Sequence, residues 1–256
     1  MKCSIIIPFY NELDLIDRAA RSALAQSTET LAIEVVIAND GQSPEEGIRE
    51  RIGADIRPSV RVIKNPGPHG PGGARNAALD VCTGDLVAFL DADDFWRPGK
   101  LAAQLEAVAA GATFVATGYC FDGTDRVIRP PTRIAAQKDI FLKRGIGTST
   151  VLLTRELLAE HRFRDIRFAQ DIDFWFALSN APNFRYAARP DDLVVYSTGG
   201  STRNKFVQLS YVWRVLRLNR IGPALSARIL WSYGFAGLYR HYVDPLSCRF
   251  FRKEGE

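Results

Sequence analysis

Four stretches of this chain carry residue types that can do chemistry. Asp91, Asp93 and Asp94 stand together in Asp91-Ala92-Asp93-Asp94, straight after the wholly apolar run Leu86–Leu90. Carboxylates this close repel one another unless a positive charge sits among them. A hard divalent cation with oxygen ligands, Mg²⁺ or Mn²⁺, meets that need and can bridge to a diphosphate. A solvated aspartate-rich turn is the plain alternative. Pro66-Gly67-Pro68-His69-Gly70-Pro71-Gly72-Gly73 has the look of a phosphate cradle. However, no Lys-Ser/Thr follows its glycines, and Arg75 stands where a dinucleotide fingerprint needs its third glycine. What remains is a loop entering a helix, with Arg75 in the first turn either gripping a phosphate or simply solvated. Tyr10, after an apolar run and Pro8, either stacks on a base or closes the core, and core packing is the default for a lone aromatic. In Gln170-Asp171-Ile172-Asp173-Phe174-Trp175, the two aspartates should not share a helix face. One then suits a general base and the other a cap, although capping is the plain reading of either.

The elements that must hold these residues can be read from the apolar pattern. Cys3–Ile7, Ile33–Ala38, Val60–Ile63 and Leu86–Leu90 are short apolar runs of the kind buried parallel strands show. Helices are expected between them. One is capped by Asn11 with Asp14 closing a capping box, one starts at Ser43-Pro44 with Glu46, and one covers Ala74–Val81. A further helix runs from Pro98 to about Ala110. Strand–helix alternation over these ~110 residues implies an α/β parallel sheet, with the functional loops at the carboxyl ends of the strands. After Thr113, strand-like pieces at Phe114–Tyr119, Thr150–Leu153 and Leu193–Tyr196 mix with short helices near Ile140 and Asp173 and complete the same domain. Beyond Gly199–Asn204, Phe206–Leu218 and Pro223–Tyr242 read as two helices broken at Gly222-Pro223.

Composition narrows the class. The 256 residues are 46% hydrophobic and 24% charged, an ordinary globular balance. The net charge of +4 hides an asymmetry: from Arg203 onward there are 10 Lys and Arg against 3 Asp and Glu, while the body is slightly acidic. A basic footprint confined to a tail argues against a nucleic-acid partner and suits anionic lipid head groups better. Cys3, Cys82, Cys120 and Cys248 are scattered, as are His69, His161 and His241. This points to reduced thiols in a cytoplasmic protein and away from a zinc site. Cys3–Ile7 is too short for a signal peptide. Ile229–Tyr239 is too short to span a bilayer and is broken by Ser232, Gly234 and Gly237.

The order of the motifs is more specific than any one of them. Ser4-Ile5-Ile6-Ile7-Pro8-Phe9-Tyr10-Asn11-Glu12 resembles the opening strand and turn of the family 2 glycosyltransferases. Ile37-Ala38-Asn39-Asp40-Gly41-Gln42-Ser43 resembles their Asp-Asp-Gly-Ser motif, Gly73-Ala74-Arg75-Asn76 their Ala-Arg-Asn helix start, and Asp91-Ala92-Asp93-Asp94 their metal motif. Gln170-Asp171 falls where they carry Glu-Asp. The resemblance covers residues 4 to about 202. It implies a GT-A fold: a Rossmann-like, mostly parallel sheet flanked by helices, here with a C-terminal helical extension. The catalytic domain would be 1–202, with a nucleotide-binding half (1–112) and an acceptor-side half (113–202), and 203–256 would be a basic, aromatic tail.

The resemblance also implies roles. Pro8, Tyr10, Asn11, Glu12, Asp40, Arg75, Asp91 and Ala92 would bind the nucleotide, with Tyr10 and Asp40 on uracil and Asp91 on the ribose side. Asp93 or Asp94 would hold Mn²⁺ or Mg²⁺. Asp171 would be the base that deprotonates an acceptor hydroxyl for a single inverting displacement on a UDP-sugar. The acceptor would be a saccharide or a polyprenyl-linked saccharide of bacterial polysaccharide assembly. Three positions depart from the pattern: Asn39 replaces an Asp, Gln170 replaces Glu and should ease ionisation of Asp171, and Tyr196–Ser201 lacks the Arg or His that relatives often carry.

In the tail, Phe206, Leu209, Trp213 and Leu216 form one apolar line with Arg214, Arg217 and Arg220 off it, and Trp231, Tyr233, Tyr239 and Tyr242 add aromatics. That pattern suits peripheral contact with the cytoplasmic face of the inner membrane. Packing on the body or a homodimer contact is the equal alternative. Two rival functions fit the sequence less well. A sugar nucleotidyltransferase needs a glycine-rich basic loop after its first strand, where this chain has Pro8–Glu12. A non-catalytic nucleotide-sugar binding protein would lack the carboxylates found here.

Overall fold

The computed structural model describes residues 1–142, 145–197 and 205–242, with backbone alone over 205–208 and 233–242. In chain order the first elements are β1 (Lys2–Phe9), α1 (Ile16–Leu24), β2 (Ala32–Asn39), α2 (Glu45–Arg51), β3 (Val60–Lys64), α3 (Pro71–Val81) and β4 (Leu86–Phe89). The short β5 (Phe95–Trp96), α4 (Lys100–Ala109), β6 (Phe114–Phe121), β7 (Val127–Ile128) and α5 (Asp139–Leu142) follow. Then come β8 (Val151–Thr154), α6 (Arg155–Leu158), α7 (Gln170–Leu178), β9 (Tyr186–Tyr196), α8 (Lys205–Leu218) and α9 (Pro223–Tyr242).

The sheet runs β3-β2-β1-β4-β8-β6-β9-β5, with β7 on β6. β1 pairs in parallel with β2 and β4, and β2 with β3, as the buried apolar runs imply. The second half makes the sheet mixed: β8 is antiparallel to both β4 and β6, while β9 is parallel to β6 and antiparallel to β5. Because β8 reverses twice, β6 and β9 end at the same edge as β1 and β4. One face of the sheet packs Ile5, Ile7, Val35 and Ile37 against Ile16, Ala19 and Ala23 of α1 and Ile48 of α2. On the other, Phe89 and Phe114 meet Trp175 of α7, and Phe163 stacks on Phe174 at 4.0 Å. Burying an aromatic cluster of this size is a main source of stability and fixes α7 under the strand ends.

Several helix starts differ from the sequence expectation. Asn11 does not cap α1, which begins at Ile16 behind Leu15. The Glu12 carboxylate takes the Tyr10 and Asn11 N–H groups at 2.8 and 2.9 Å, so a side-chain-closed turn fills the space of the expected first helical turn, and Asp14 pairs with Arg51. α2 begins after Pro44 with no side-chain cap. α3 starts at Pro71, a favoured first helical residue, so Arg75 lies in its second turn.

The chain divides into two compact units, Met1–Gly199 and Gly200–Glu256. In the second, Val212, Val215, Leu216 and Ile229 are buried, whereas Trp213 is 43% and Trp231 75% exposed. The apolar line read through Trp213 is thus corrected: the buried stripe of α8 passes through Val212 and Val215. Phe206, Tyr233, Tyr239 and Tyr242 have side chains outside the described residues, as do Thr198–Asn204 and Cys248 altogether. Cys3, Cys82 and Cys120 are free and buried. No helix among the described residues is long and apolar enough to cross a membrane.

Candidate active site

The parallel strands end together, and their exits are tied at once. Asp40 N–H donates to Phe9 O, Asn65 N–H to Asn39 O and Leu90 N–H to Ile6 O, at 2.8, 2.8 and 3.0 Å. The β1 and β2 exits are in such close contact that a β-carbon on Gly41 would overlap the Tyr10 carbonyl oxygen. Tyr10 itself is 62% exposed. The default of core packing is overturned for it, since the turn held by Glu12 lifts the ring off the apolar face into solvent.

Beside it, the Asp40 side chain is largely buried and held by three partners. Its Oδ1 accepts from Asn65 Nδ2 at 2.7 Å and lies 2.8 Å from His69 Nδ1, and its Oδ2 accepts from Gly70 N–H at 2.7 Å. The Pro66–Gly70 loop is therefore folded onto Asp40. Asn65 braces the loop through Gly67 N–H and Pro68 O. Gly73 lets α3 start beneath it, because a β-carbon there would overlap Pro68 O.

Arg75 is 3% exposed, its Nη2 is 2.6 Å from Asp91 Oδ1, and its guanidinium lies over the Phe163 ring. This corrects the picture of a first-turn arginine reaching solvent or gripping a phosphate directly: its length is spent inward on Asp91, and Nε has no partner. The start of α7 is brought to the same place. Asn76 and Phe163 exchange two hydrogen bonds at 2.8 and 2.9 Å, and a β-carbon on Gly72 would crowd Gln170 Oε1. Ala169, just before Gln170, has φ +57°, a left-handed conformation costly for a residue with a side chain.

The two aspartates of α7 separate as expected. Asp173 is buried and pairs with Arg164 at 3.2 Å, while Asp171 is half-buried. Burial lifts the Asp171 carboxyl above the usual range, against the helix N–H of Ile172 and the charge of Arg75, and Asp91 adds to the rise. Replacing a Glu by Gln170 removes one repulsion, but desolvation is the larger effect here.

The acidic turn is built unequally. Asp94 is 2% exposed, and both its oxygens are taken: Oδ2 accepts from Ser149 Oγ at 2.7 Å and Oδ1 from Ser197 N–H at 3.0 Å. Burial, then repulsion from Asp91 and Asp93, pushes its carboxyl up to about 8. Asp93 is half-buried; its Oδ2 accepts from Ser197 Oγ at 2.5 Å and its backbone O from Arg18 at 2.8 Å. Ala92, between Asp91 and Asp93, is buried. No group of three or more His, Cys, Asp or Glu side chains forms a metal cluster among the described residues. The donor set still fits one hard divalent ion in a partial shell, with one or two carboxylates and the rest from phosphate and water oxygens. The crowding that raises Asp94 is what such an ion would relieve.

Residues 4–167 match the family model described as "Glycosyl transferase family 2". The chain belongs to that family. Among its relatives, the Escherichia coli UDP-Glc:alpha-D-GlcNAc-diphosphoundecaprenol beta-1,3-glucosyltransferase WfaP is 32% identical over 248 residues, 93% of this chain and 94% of WfaP. Solved structures share the fold. S. aureus TarS 1–349 in complex with UDP-GlcNAc superposes with TM-score 0.62 at 19% identity, covering 94% of this chain and 73% of that one. The mannosyltransferase PcManGT from Pyrobaculum calidifontis, in complex with GDP-Man and Mn²⁺, gives 0.64 at 21%, covering 95% and 71%. The glycosyltransferase thus has the GT-A type of α/β architecture, and four of its sequence motifs lie along one sheet edge with the fifth, on α7, beside them.

Pro8, Tyr10, Asn11, Glu12 and Asp40 gather at the β1 and β2 exits, and Arg75, Asp91 and Asp171 form a second group joined by charge. Asn11 is exposed, and Glu12 serves the turn's own N–H groups. Sequence reasoning missed His69, Asn65, Ser149 and Ser197 as parts of the site. Of these, only His69, in the Pro66–Gly73 loop, and Ser197, in the segment resembling the closing piece of the family, carried a signal.

Proposed function

We propose that this family 2 enzyme transfers a sugar from a UDP-sugar to a hydroxyl of a saccharide acceptor, in the form of a lipid-linked saccharide of bacterial polysaccharide assembly, with inversion. What carries the reading is the meeting of three things at one edge: an exposed Tyr10 beside a buried Asp40, the Arg75–Asp91 pair, and Asp171 within their field. Asp40, with Tyr10 beside it, suits a base that offers an N–H and a flat face. Arg75 holds Asp91 in one orientation, from which its second oxygen can accept from a ribose hydroxyl. Asp171 takes the proton of the acceptor hydroxyl as that oxygen attacks the anomeric carbon, and the bond to UDP breaks with its electron pair on the diphosphate. Positioned base catalysis of this kind is worth roughly 10²–10⁴-fold.

Asp93, with Asp94 behind it, would hold Mn²⁺ or Mg²⁺, which supplies positive charge to the departing diphosphate. WfaP, named for a UDP-Glc donor and a diphosphoundecaprenol-linked acceptor, supports the donor and acceptor classes, and Mn²⁺ with PcManGT supports the ion. The domain reading that accompanies this is a catalytic 1–202 and a tail 203–256. Trp213, Trp231, Arg214, Arg217, Arg220 and Arg228 are exposed in the tail, which supports peripheral contact with an anionic membrane surface on the cytoplasmic side. A homodimer contact is the competing use.

The test is calorimetric binding of UDP with Mn²⁺ and with EDTA, beside slow hydrolysis of a panel of UDP-sugars. Metal-dependent UDP binding with one sugar turned over faster is expected. Absence of UDP binding under every metal condition, with GDP- or dTDP-sugars binding instead, overturns the base assignment.

A further inference from the structure

The segment Gly147-Thr148-Ser149-Thr150 is polar, belongs to no motif, and is buried: Ser149 and Thr150 are 0% exposed. Burying polar groups is costly unless every one is hydrogen-bonded. In Ser149 every one is, and each bond goes to an element of the site. Its Oγ accepts from Asp91 N–H at 3.1 Å and donates to Asp94 Oδ2 at 2.7 Å, so one hydroxyl spans the acidic turn. Its N–H donates to Tyr196 Oη at 3.1 Å, at the end of β9, and its carbonyl accepts from Trp96 Nε1 at 2.9 Å, in β5. Gly147 makes the first of these possible, since a β-carbon there would overlap the Tyr196 hydroxyl. Behind Ser149, Gln104 of α4 donates to Thr150 O at 3.0 Å and to Val115 O at 2.9 Å, which pins the segment to the sheet.

Two properties follow from this geometry. Ser149 Oγ joins the two ends of the Asp91–Asp94 turn, fixing the Asp91 N–H and the Asp94 carboxylate, beside the holds that Arg75, Arg18 and Ser197 provide. That hydroxyl cannot drift, because its own backbone is tied at both ends, to Tyr196 of β9 and Trp96 of β5. A water molecule would not replace it, lacking the backbone anchors.

We infer that Ser149 is a positioning residue for the acidic turn, setting how strongly Asp93 and Asp94 take up a divalent cation with the donor diphosphate, without itself touching substrate. This rests on the reading of that turn as the cation site under Proposed function. Groups that orient metal-binding carboxylates typically change metal affinity by roughly 10–100-fold when removed.

The experiment is calorimetry of UDP binding to the full chain, with Mn²⁺ and with EDTA, for wild type, Ser149→Ala and Tyr196→Phe, with a thermal melt of each. In Ser149→Ala the gain in UDP affinity that Mn²⁺ confers should fall by roughly 10–100-fold, while UDP affinity in EDTA falls by far less, since Asp91 stays paired with Arg75. Tyr196→Phe loosens Ser149 from behind and should lower the same gain in the same direction; it decides the matter if Ser149→Ala does not fold. A variant that melts lower but keeps the full Mn²⁺ gain overturns the inference, reducing Ser149 to a structural residue. If wild type itself shows no Mn²⁺ gain, the cation reading of the turn fails, and the role of Ser149 falls with it. A wild-type gain left intact in both variants refutes Ser149 alone.

Discussion

Asp171→Asn removes a proton acceptor and little else. The side chain keeps its shape in the first turn of α7, the aromatic packing of Phe174 and Trp175 behind it is untouched, and the group at Tyr10 and Asp40 is unaltered. With the identified UDP-sugar and an acceptor, kcat should fall roughly 10²–10⁴-fold, with UDP affinity changed by no more than about twofold. The pH profile sharpens the test. A base works only when ionised, and burial raises the pKa of Asp171. Wild-type kcat/KM should therefore rise with pH along a limb centred above the ~3.9 of an ordinary aspartate. Arg75 favours the ionised form and Asp91 opposes it. Arg75→Gln removes the favourable charge and leaves Asp91 unpaired, so both changes move the limb to higher pH. Below the limb, each pH unit it moves costs about tenfold in rate. The assay is initial rates across roughly pH 4 to 8 for wild type and both variants. Wild-type turnover in Asp171→Asn refutes the base role, and a limb unmoved by Arg75→Gln refutes the electrostatic argument.

Three further outcomes are expected. Lys100 is fully buried with its ammonium 3.9 Å from the Trp96 ring centre, and burial pushes its pKa down to about 7. The unfolded chain, with lysine near ~10.4, then binds more protons than the folded one between those values, so stability should rise with pH at up to about 1.4 kcal/mol per pH unit. Lys100→Met should flatten that rise in melts at pH 7 and 9, and an unchanged slope would assign the rise to other groups. Gly41→Ala forces the β1 and β2 exits apart and should cost about 1–3 kcal/mol in unfolding free energy together with UDP affinity; a variant matching wild type in both would show that the exits yield freely. Trp231→Ala should weaken binding to anionic vesicles about tenfold if the exposed ring enters the interface, whereas unchanged sedimentation with vesicles favours a protein contact for the tail.

The strands that carry the site were legible because each is a short apolar run flanked by polar turns, the pattern of a sheet buried on both faces. The carboxylates were legible because aspartates straight after such runs must emerge at one edge. What stayed hidden is whatever depends on long-range closure. Nothing local marks Ser149 as the partner of Asp94, 55 residues away, or His69 as the partner of Asp40, 29 residues away. Asn11 misled because a capping signal and a side-chain-closed turn share residue types, and only the reach of Glu12 to the Tyr10 and Asn11 N–H groups decides between them. Tyr10 misled for the opposite reason, since composition favours burial of a tyrosine and the turn overrides it. β9 is longer than its apolar run Leu193–Tyr196 because Arg189-Pro190-Asp191-Asp192 breaks the apolar pattern in its middle, where the pairing with β6 shifts register.

Ser197 has a consequence for how the enzyme comes into being. It meets Asp93 and Asp94 across 104 and 103 residues, while β1 and β2, which lead into Tyr10 and Asp40, pair over far shorter spans. Contacts between distant segments are made late, since the loop they close must be ordered first. During synthesis the chain would therefore hold the paired β1 and β2 strands long before its acidic turn is braced, and that bracing waits until Ser197 has left the ribosome.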